Sequence, residues 1–193
     1  MDMESDRLNL KKQAQKNLKD FKAVADEVGI KFMVMEGTLL GFHRDKDFVK
    51  GDENDIDLGI MEEEIDKIKA LTDGLELIGF DYFKKFELLG EFEGGALMRG
   101  GNHIDLMRMH RDGEDVYNYG RGMVDNIPRL LSYEYPAHMF DGYGTISYNG
   151  DSYLTPPDIE GFLEHTYGDW KTPDPDYSYT SVKSRPNLKV CEF

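Results

Sequence analysis

The chain has 193 residues, with 38 acidic side chains against 23 basic ones, a formal charge of −15 and one cysteine, Cys191. That length suits one domain with a substantial core and is short for two. The acidity argues against a nucleic-acid partner, because phosphate contacts draw on Lys and Arg, and a lone cysteine excludes an intrachain disulfide or a cysteine-based zinc site.

The N-terminal MDMESDRLNLKKQ lacks the apolar core of a signal peptide, and no stretch approaches the roughly 20 apolar residues of a membrane span, so a cytoplasmic protein is expected. From Ser5 to Val28, Leu8, Leu10, Ala14, Leu18, Phe21, Ala23, Val24 and Val28 recur at helical spacing, and Gly29 ends that amphipathic helix. Ile30 to Met35 reads as a first strand. The Gly37-Thr38 turn follows, then a short helix over Leu39-Leu40-Gly41-Phe42, an acidic loop and a second strand through Asp55.

Glu62 to Leu71 reads as a helix with Glu62, Glu63 and Glu64 at its positive end, broken by Gly74 and Gly79. Phe80–Leu89 and Ala96–Arg99 read as hairpin strands joined by a turn at Glu91–Gly95 and leading into a strand through Asp105. The pattern loosens after Asp112-Gly113. Strand signals return at Leu131–Pro136 and in a hairpin about Asn149-Gly150, and Pro156 and Pro157 open a helix to about Tyr167. The expectation is an α+β fold of nucleotidyltransferase type: a small mixed sheet carrying an acidic site, flanked by helices. One catalytic domain spans residues 1–175, and an irregular tail spans 176–193.

The chemistry concentrates in EGTLLGFHRDKDFVKGDENDIDLGI, Glu36 to Ile60. Side chains alternate along a strand, so Asp55 and Asp57 share one face while Ile56, Leu58 and Ile60 build core on the other. Adjacent carboxylates repel unless a cation lies between them, and hard oxygen ligands suit Mg²⁺ or Mn²⁺. In HIDLMRM the same alternation lets Asp105 face the pair. Three carboxylates on neighbouring strands can hold two ions that clamp the attacking and leaving oxygens of a phosphorus centre. Gly37 and Thr38, at a helix start, offer backbone N–H groups to a phosphate. Arg44 is either a ligand of the donor phosphates or a surface cation paired with Asp45 or Asp47. His43 reads as surface or packing. The aromatics Tyr133, Tyr135, Phe140, Tyr143, Tyr148 and Tyr153 form either a cage for a quaternary ammonium or ordinary sheet packing. Tyr167 and Trp170 read as an anchor for the last helix.

Gly37-Thr38-Leu39-Leu40-Gly41, then Arg44, then the acidic run ending Asp55-Ile56-Asp57 resembles the LicD/fukutin-related transferases of the nucleotidyltransferase-fold superfamily. Tyr167-Gly168-Asp169-Trp170 looks like that family's closing signature, so the likeness extends over about residues 20 to 175. Where the family has Pro-Trp before its acidic run, this chain has Gly51-Asp52 and one more residue in the interval, which points to a changed loop path. The resemblance implies transfer of a phospho-alcohol, such as phosphocholine or a phospho-polyol, from a CDP-activated donor to a glycan hydroxyl. Asp55, Asp57 and Asp105 would be the metal and catalytic acids, and Gly37, Thr38 and Arg44 the donor-binding groups. Two other readings stay open: a nucleotidyltransferase using a nucleoside triphosphate on a protein or small molecule, and a non-catalytic nucleotide-binding regulator.

Overall fold

The computed structural model describes residues 3–181 and 183–191. Helix α1 (Met3–Val28) buries Ala14, Leu18, Phe21 and Ala25 on the stripe that its periodicity predicts. Gly29, at φ +73°, ends it in the left-handed region open to glycine. The first strand, β1 (Met33–Val34), is only two residues long, because Glu36 already turns the chain into α2 (Glu36–Leu40). A π-helical turn over Gly41–Asp45 continues α2. A Cβ at Gly41 would lie 2.5 Å from the Asp47 carbonyl oxygen, so this turn folds back on its own backbone.

Strand β2 (Asp55–Met61) is followed by a 3₁₀ turn at Glu62–Lys67 and by α3 (Ile68–Leu77). Gly74 was expected to break that helix and instead lies inside it. A Cβ there would meet Val24 Cγ1 at 2.8 Å, so the glycine marks the close crossing of α3 on α1. Strands β3 (Asp81–Leu88) and β4 (Glu91–Arg99) form the expected hairpin, but its turn is Leu89-Gly90. Both turn residues have positive φ, as a two-residue hairpin loop of this kind requires. Gly94 and Gly95, read as turn residues, are strand interior.

The centre of the molecule is β5 (Asn102–Asp112). It runs parallel to β2 in a register that pairs Asp55 with His103, Asp57 with Asp105 and Leu58 with Leu106. Along residues 102–107 it also pairs with β4, and along 110–112 with β6 (Asp115–Val124). Ile56, Leu58, Ile60, Ile104 and Leu106 are buried in the hydrophobic core, each contributing about 1.5–3 kcal/mol. This burial fixes the register, because a one-residue slip would put every acid into the core.

The loosened region is a long hairpin of β6 with β7 (Ile127–Pro136), closed by Asp125-Asn126. Gly120 and Gly122 dilute its β pattern, yet the structure needs them small. A Cβ at 120 would touch the Tyr133 ring at 3.0 Å, and one at 122 would touch Leu131 at 2.7 Å. The Asn149-Gly150 hairpin appears as β8 (Gly144–Tyr148) and β9 (Asp151–Thr155), with β9 parallel to β1. Helix α4 (Ile159–Tyr167) is capped by Asp158, whose carboxylate accepts the Gly161 N–H. The last segment, expected to be irregular, adds β10 (Leu188–Val190) to the edge of β7. The sheet thus has ten strands and is larger than the small sheet expected. The fold class is mixed α and β, as read. Among the described residues no helix is long and apolar enough to cross a membrane.

Candidate functional site

The four-strand order β2–β5–β4–β3 sets Asp57, Asp105, Ala96 and Lys84 directly opposite one another in a row. Side chains opposite each other in a sheet share a face, so this row forms one wall of a cavity of about 750 Å³. Asp52, Asp55, Asp57, Asp105 and His103 crowd one part of it, and Gly37 closes the corner. A Cβ at Gly37 would lie 3.2 Å from Asp57 Oδ2 and 3.4 Å from Asp52 Oδ2, so only glycine leaves both carboxylates unobstructed.

Thr38 is buried and ties α2 to the acid strand. Its Oγ1 accepts the Asp57 backbone N–H at 2.8 Å, and its own N–H donates to Asp57 Oδ2 at 3.3 Å. One ligand atom from each of Asp55, His103 and Asp105 lies within 4.8 Å of the other two. Asp57 falls outside that set, deeper in the protein and beside it. Burial, then the charges of Asp55, Glu36 and Asp105, push the Asp57 carboxyl well above its ordinary range. Burial and the Asp55 charge push Asp105 up to about 6, and burial and Asp55 raise Asp52 too. Asp55 Oδ1 is buried, with His103 Nε2 3.1 Å away. Four mutually repelling acids with an imidazole beside them fit a divalent cation, and the residues present are of the right chemistry to hold one.

The other side of the cavity has the opposite charge. Arg121 and Arg185 reach it, with aromatic faces from Tyr119, Tyr133, Tyr167, Tyr177 and Tyr179, while Lys84 stands at the end of the acids' own row. Arg185 comes from the segment expected to be an idle tail and is 5 % exposed. Its Nη2 lies 2.7 Å from Glu36 Oε2. The Tyr135 hydroxyl donates to Glu36 Oε1 at 2.6 Å, and Tyr167 donates to Oε2 at 3.4 Å. Glu36 itself holds a φ of +48°, a conformation that costs a non-glycine residue about 1–3 kcal/mol. Arg185, Tyr135 and Tyr167 together hold it there, at the start of α2 and beside the acids.

Of the residues singled out in the sequence, Gly37, Asp55, Asp57 and Asp105 line the cavity, and Thr38 braces it from behind. Arg44 does not line it. Its guanidinium pairs with Asp45 at 2.8 and 2.9 Å and donates to the Trp170 carbonyl, the surface pairing that the sequence offered as one of its two readings. The physical reason is the π-helical turn, which carries residue 44 to the α4 side. His43 is packing, against Trp170 and near Glu160. Within the aromatic stretch, Tyr135, Phe140, Tyr148 and Tyr153 are core; Tyr133 alone of the six named lines the cavity. Sequence reasoning missed His103, Asp52, Lys84 and Arg185. His103 had a signal, since its alternation puts it on the Asp105 face; Arg185 had none, because nothing local says what a residue 149 positions after Glu36 will meet.

Residues 29–93 match the family model described as LicD/FKTN/FKRP, nucleotidyltransferase domain. No curated protein matches the chain. Two solved structures of the antibiotic-resistance factor ANT(2'')-Ia are similar over part of their length. A crystal structure with adenylyl-2''-tobramycin has a TM-score of 0.41 and 18% identity, covering 53% of each chain. A solution structure has a TM-score of 0.46 and 15% identity, covering 75% of this chain and 65% of that one. The chain therefore spans between about half and two thirds of these structures' lengths. Residues 29–93, which carry Gly37, Thr38, Asp55 and Asp57, are thus similar to the nucleotidyltransferase domain of the LicD/FKTN/FKRP family.

Proposed function

We propose that this chain is a metal-dependent transferase that moves a phospho-alcohol, of the phosphocholine or phospho-polyol type, from a CDP-activated donor to a glycan hydroxyl. The observation that carries the reading is a coincidence of two independent facts. The family match covers Asp55 and Asp57, and Asp105, outside the matched segment, stands in register with Asp57 on the same cavity wall.

In this reading Asp55, Asp57 and Asp105 hold the divalent ion. A bound ion supplies Lewis-acid charge to the oxygens of the phosphorus centre. Thr38 fixes the depth of Asp57 through its two hydrogen bonds, and Gly37 keeps the approach to that carboxylate clear. Asp105, in register with Asp57 on the cavity wall, orients the acceptor hydroxyl and accepts its proton. Arg121 and Arg185 from the opposite side, and Lys84 from the acids' own wall, neutralise the donor diphosphate, and the tyrosine faces stack against its base or its alcohol.

One observation favours a second reading, transfer of a nucleotide from a nucleoside triphosphate. The three cavity cations supply charge for a longer phosphate tail, which the overall acidity of the chain had argued against. Release of CMP from a panel of CDP esters, measured beside pyrophosphate release from each triphosphate, separates the two. The proposal expects CMP; pyrophosphate alone moves the chain to the second reading.

A further inference from the structure

His103 faces Asp55 across β2 and β5 as Asp105 faces Asp57, so an imidazole completes the square of acids. Its Nε2 lies 3.1 Å from Asp55 Oδ1, within ion-pair distance. Two ligand atoms on adjacent corners of an octahedron lie about 3.0 Å apart when each is about 2.1 Å from the ion. The spacing of the pair matches such an edge, and Asp105 supplies a further ligand atom within 4.8 Å of both. His103 also lines the cavity and is partly exposed, so its ring is open to an incoming ion.

We propose that the His103 imidazole is a ligand of the metal centre, and that the centre therefore prefers a first-row transition ion, manganese(II) foremost, to magnesium. Magnesium binds oxygen almost exclusively and keeps its waters, whereas an imidazole nitrogen adds affinity for the transition ions. Asp55 and Asp105, as hard oxygen donors, leave the centre acceptable to manganese. The inference rests on the proposed function only in expecting a divalent ion at this site.

The test uses the metal-stripped full chain and Mn²⁺ itself, with Mg²⁺ as competitor. Free Mn²⁺ is counted by electron paramagnetic resonance, and bound Mn²⁺ is examined by electron spin echo for modulation from a directly bonded nitrogen. Wild type should bind Mn²⁺ at least roughly ten-fold tighter than Mg²⁺ and show nitrogen modulation. His103→Ala and His103→Gln should lose the modulation and bring the two ions to within about three-fold, with unchanged melting temperature in a partly exposed position. His43→Ala, a histidine packed on Trp170, should keep both properties. Wild-type Mn²⁺ without nitrogen modulation, or His103→Ala with an unaltered preference, overturns the proposal. These readouts need no donor, so a chain with the nitrogen-bound centre and no transferase turnover would refute the proposed function alone.

Discussion

Arg185→Met removes one member of the most enclosed ion pair at the site, and its cost can be worked from the structure. Arg185 and Glu36 are 5 % and 6 % exposed and 2.7 Å apart. Removing one partner of a buried pair leaves an uncompensated charge, at about 3–5 kcal/mol. Here the Tyr135 and Tyr167 hydroxyls still reach the Glu36 carboxylate, which puts the expected loss near the lower end, about 3 kcal/mol. For a chain of this size that is a fall in melting temperature of about 6–12 °C. Glu36→Gln in the Arg185→Met background should restore at least about 1.5 kcal/mol, because the double change leaves no charge buried. Urea unfolding of the four proteins gives the cycle. A single-variant loss under about 1 kcal/mol, the range of exposed pairs, or additive changes in the cycle, would refute the claim that Arg185 holds the buried Glu36 in place.

Three further outcomes follow from the site. Asp105 goes from 3.8 to about 6 on folding, so the folded state keeps its proton more readily and stability is lost as pH rises from about 4 to about 6. Asp57 is shifted in the same direction; for Asp105 alone the loss amounts to as much as about 3 kcal/mol in metal-free protein. Saturating divalent ion should remove most of it, and a flat metal-free profile across that window would contradict the reading. Gly37→Ala brings a Cβ to 3.2 Å from Asp57 Oδ2 and should weaken metal binding by about ten-fold while stability changes by less than about 1 kcal/mol. Arg44→Ala should cost about 1 kcal/mol of stability through the lost Trp170 carbonyl contact and leave donor affinity, read by titration calorimetry, within about two-fold.

Local rules made the acidic strand legible. Alternation alone put Asp55 and Asp57 on one face, and the shared need of Ile56, Leu58, Ile104 and Leu106 for burial brought Asp105 beside them. Gly29, Asn149-Gly150 and Pro156-Pro157 marked their turn and helix ends for the same reason, since each acts through its own backbone. What escaped depends on partners distant in the sequence. The β6–β7 hairpin contains glycines that count against strand until Tyr133 and Leu131 are seen leaning over them. The π-helical turn that carries Arg44 to Asp45 and the Trp170 carbonyl is one that no periodicity signals. Arg185, in a stretch rich in Pro, Asp and Ser, looked solvated because nothing nearby in sequence shows that Glu36 is buried beneath it.

The account stands most directly on turnover by Asp57→Asn. Wild type and variant are compared for CMP release from CDP esters in Mn²⁺ and in Mg²⁺ with glycan acceptors, alongside their melting curves. The site described here predicts a fold that is intact, even slightly more stable near neutral pH, because a buried raised-pKa acid has been made neutral, and turnover reduced by at least about a thousand-fold. Wild-type turnover from folded Asp57→Asn protein would contradict it.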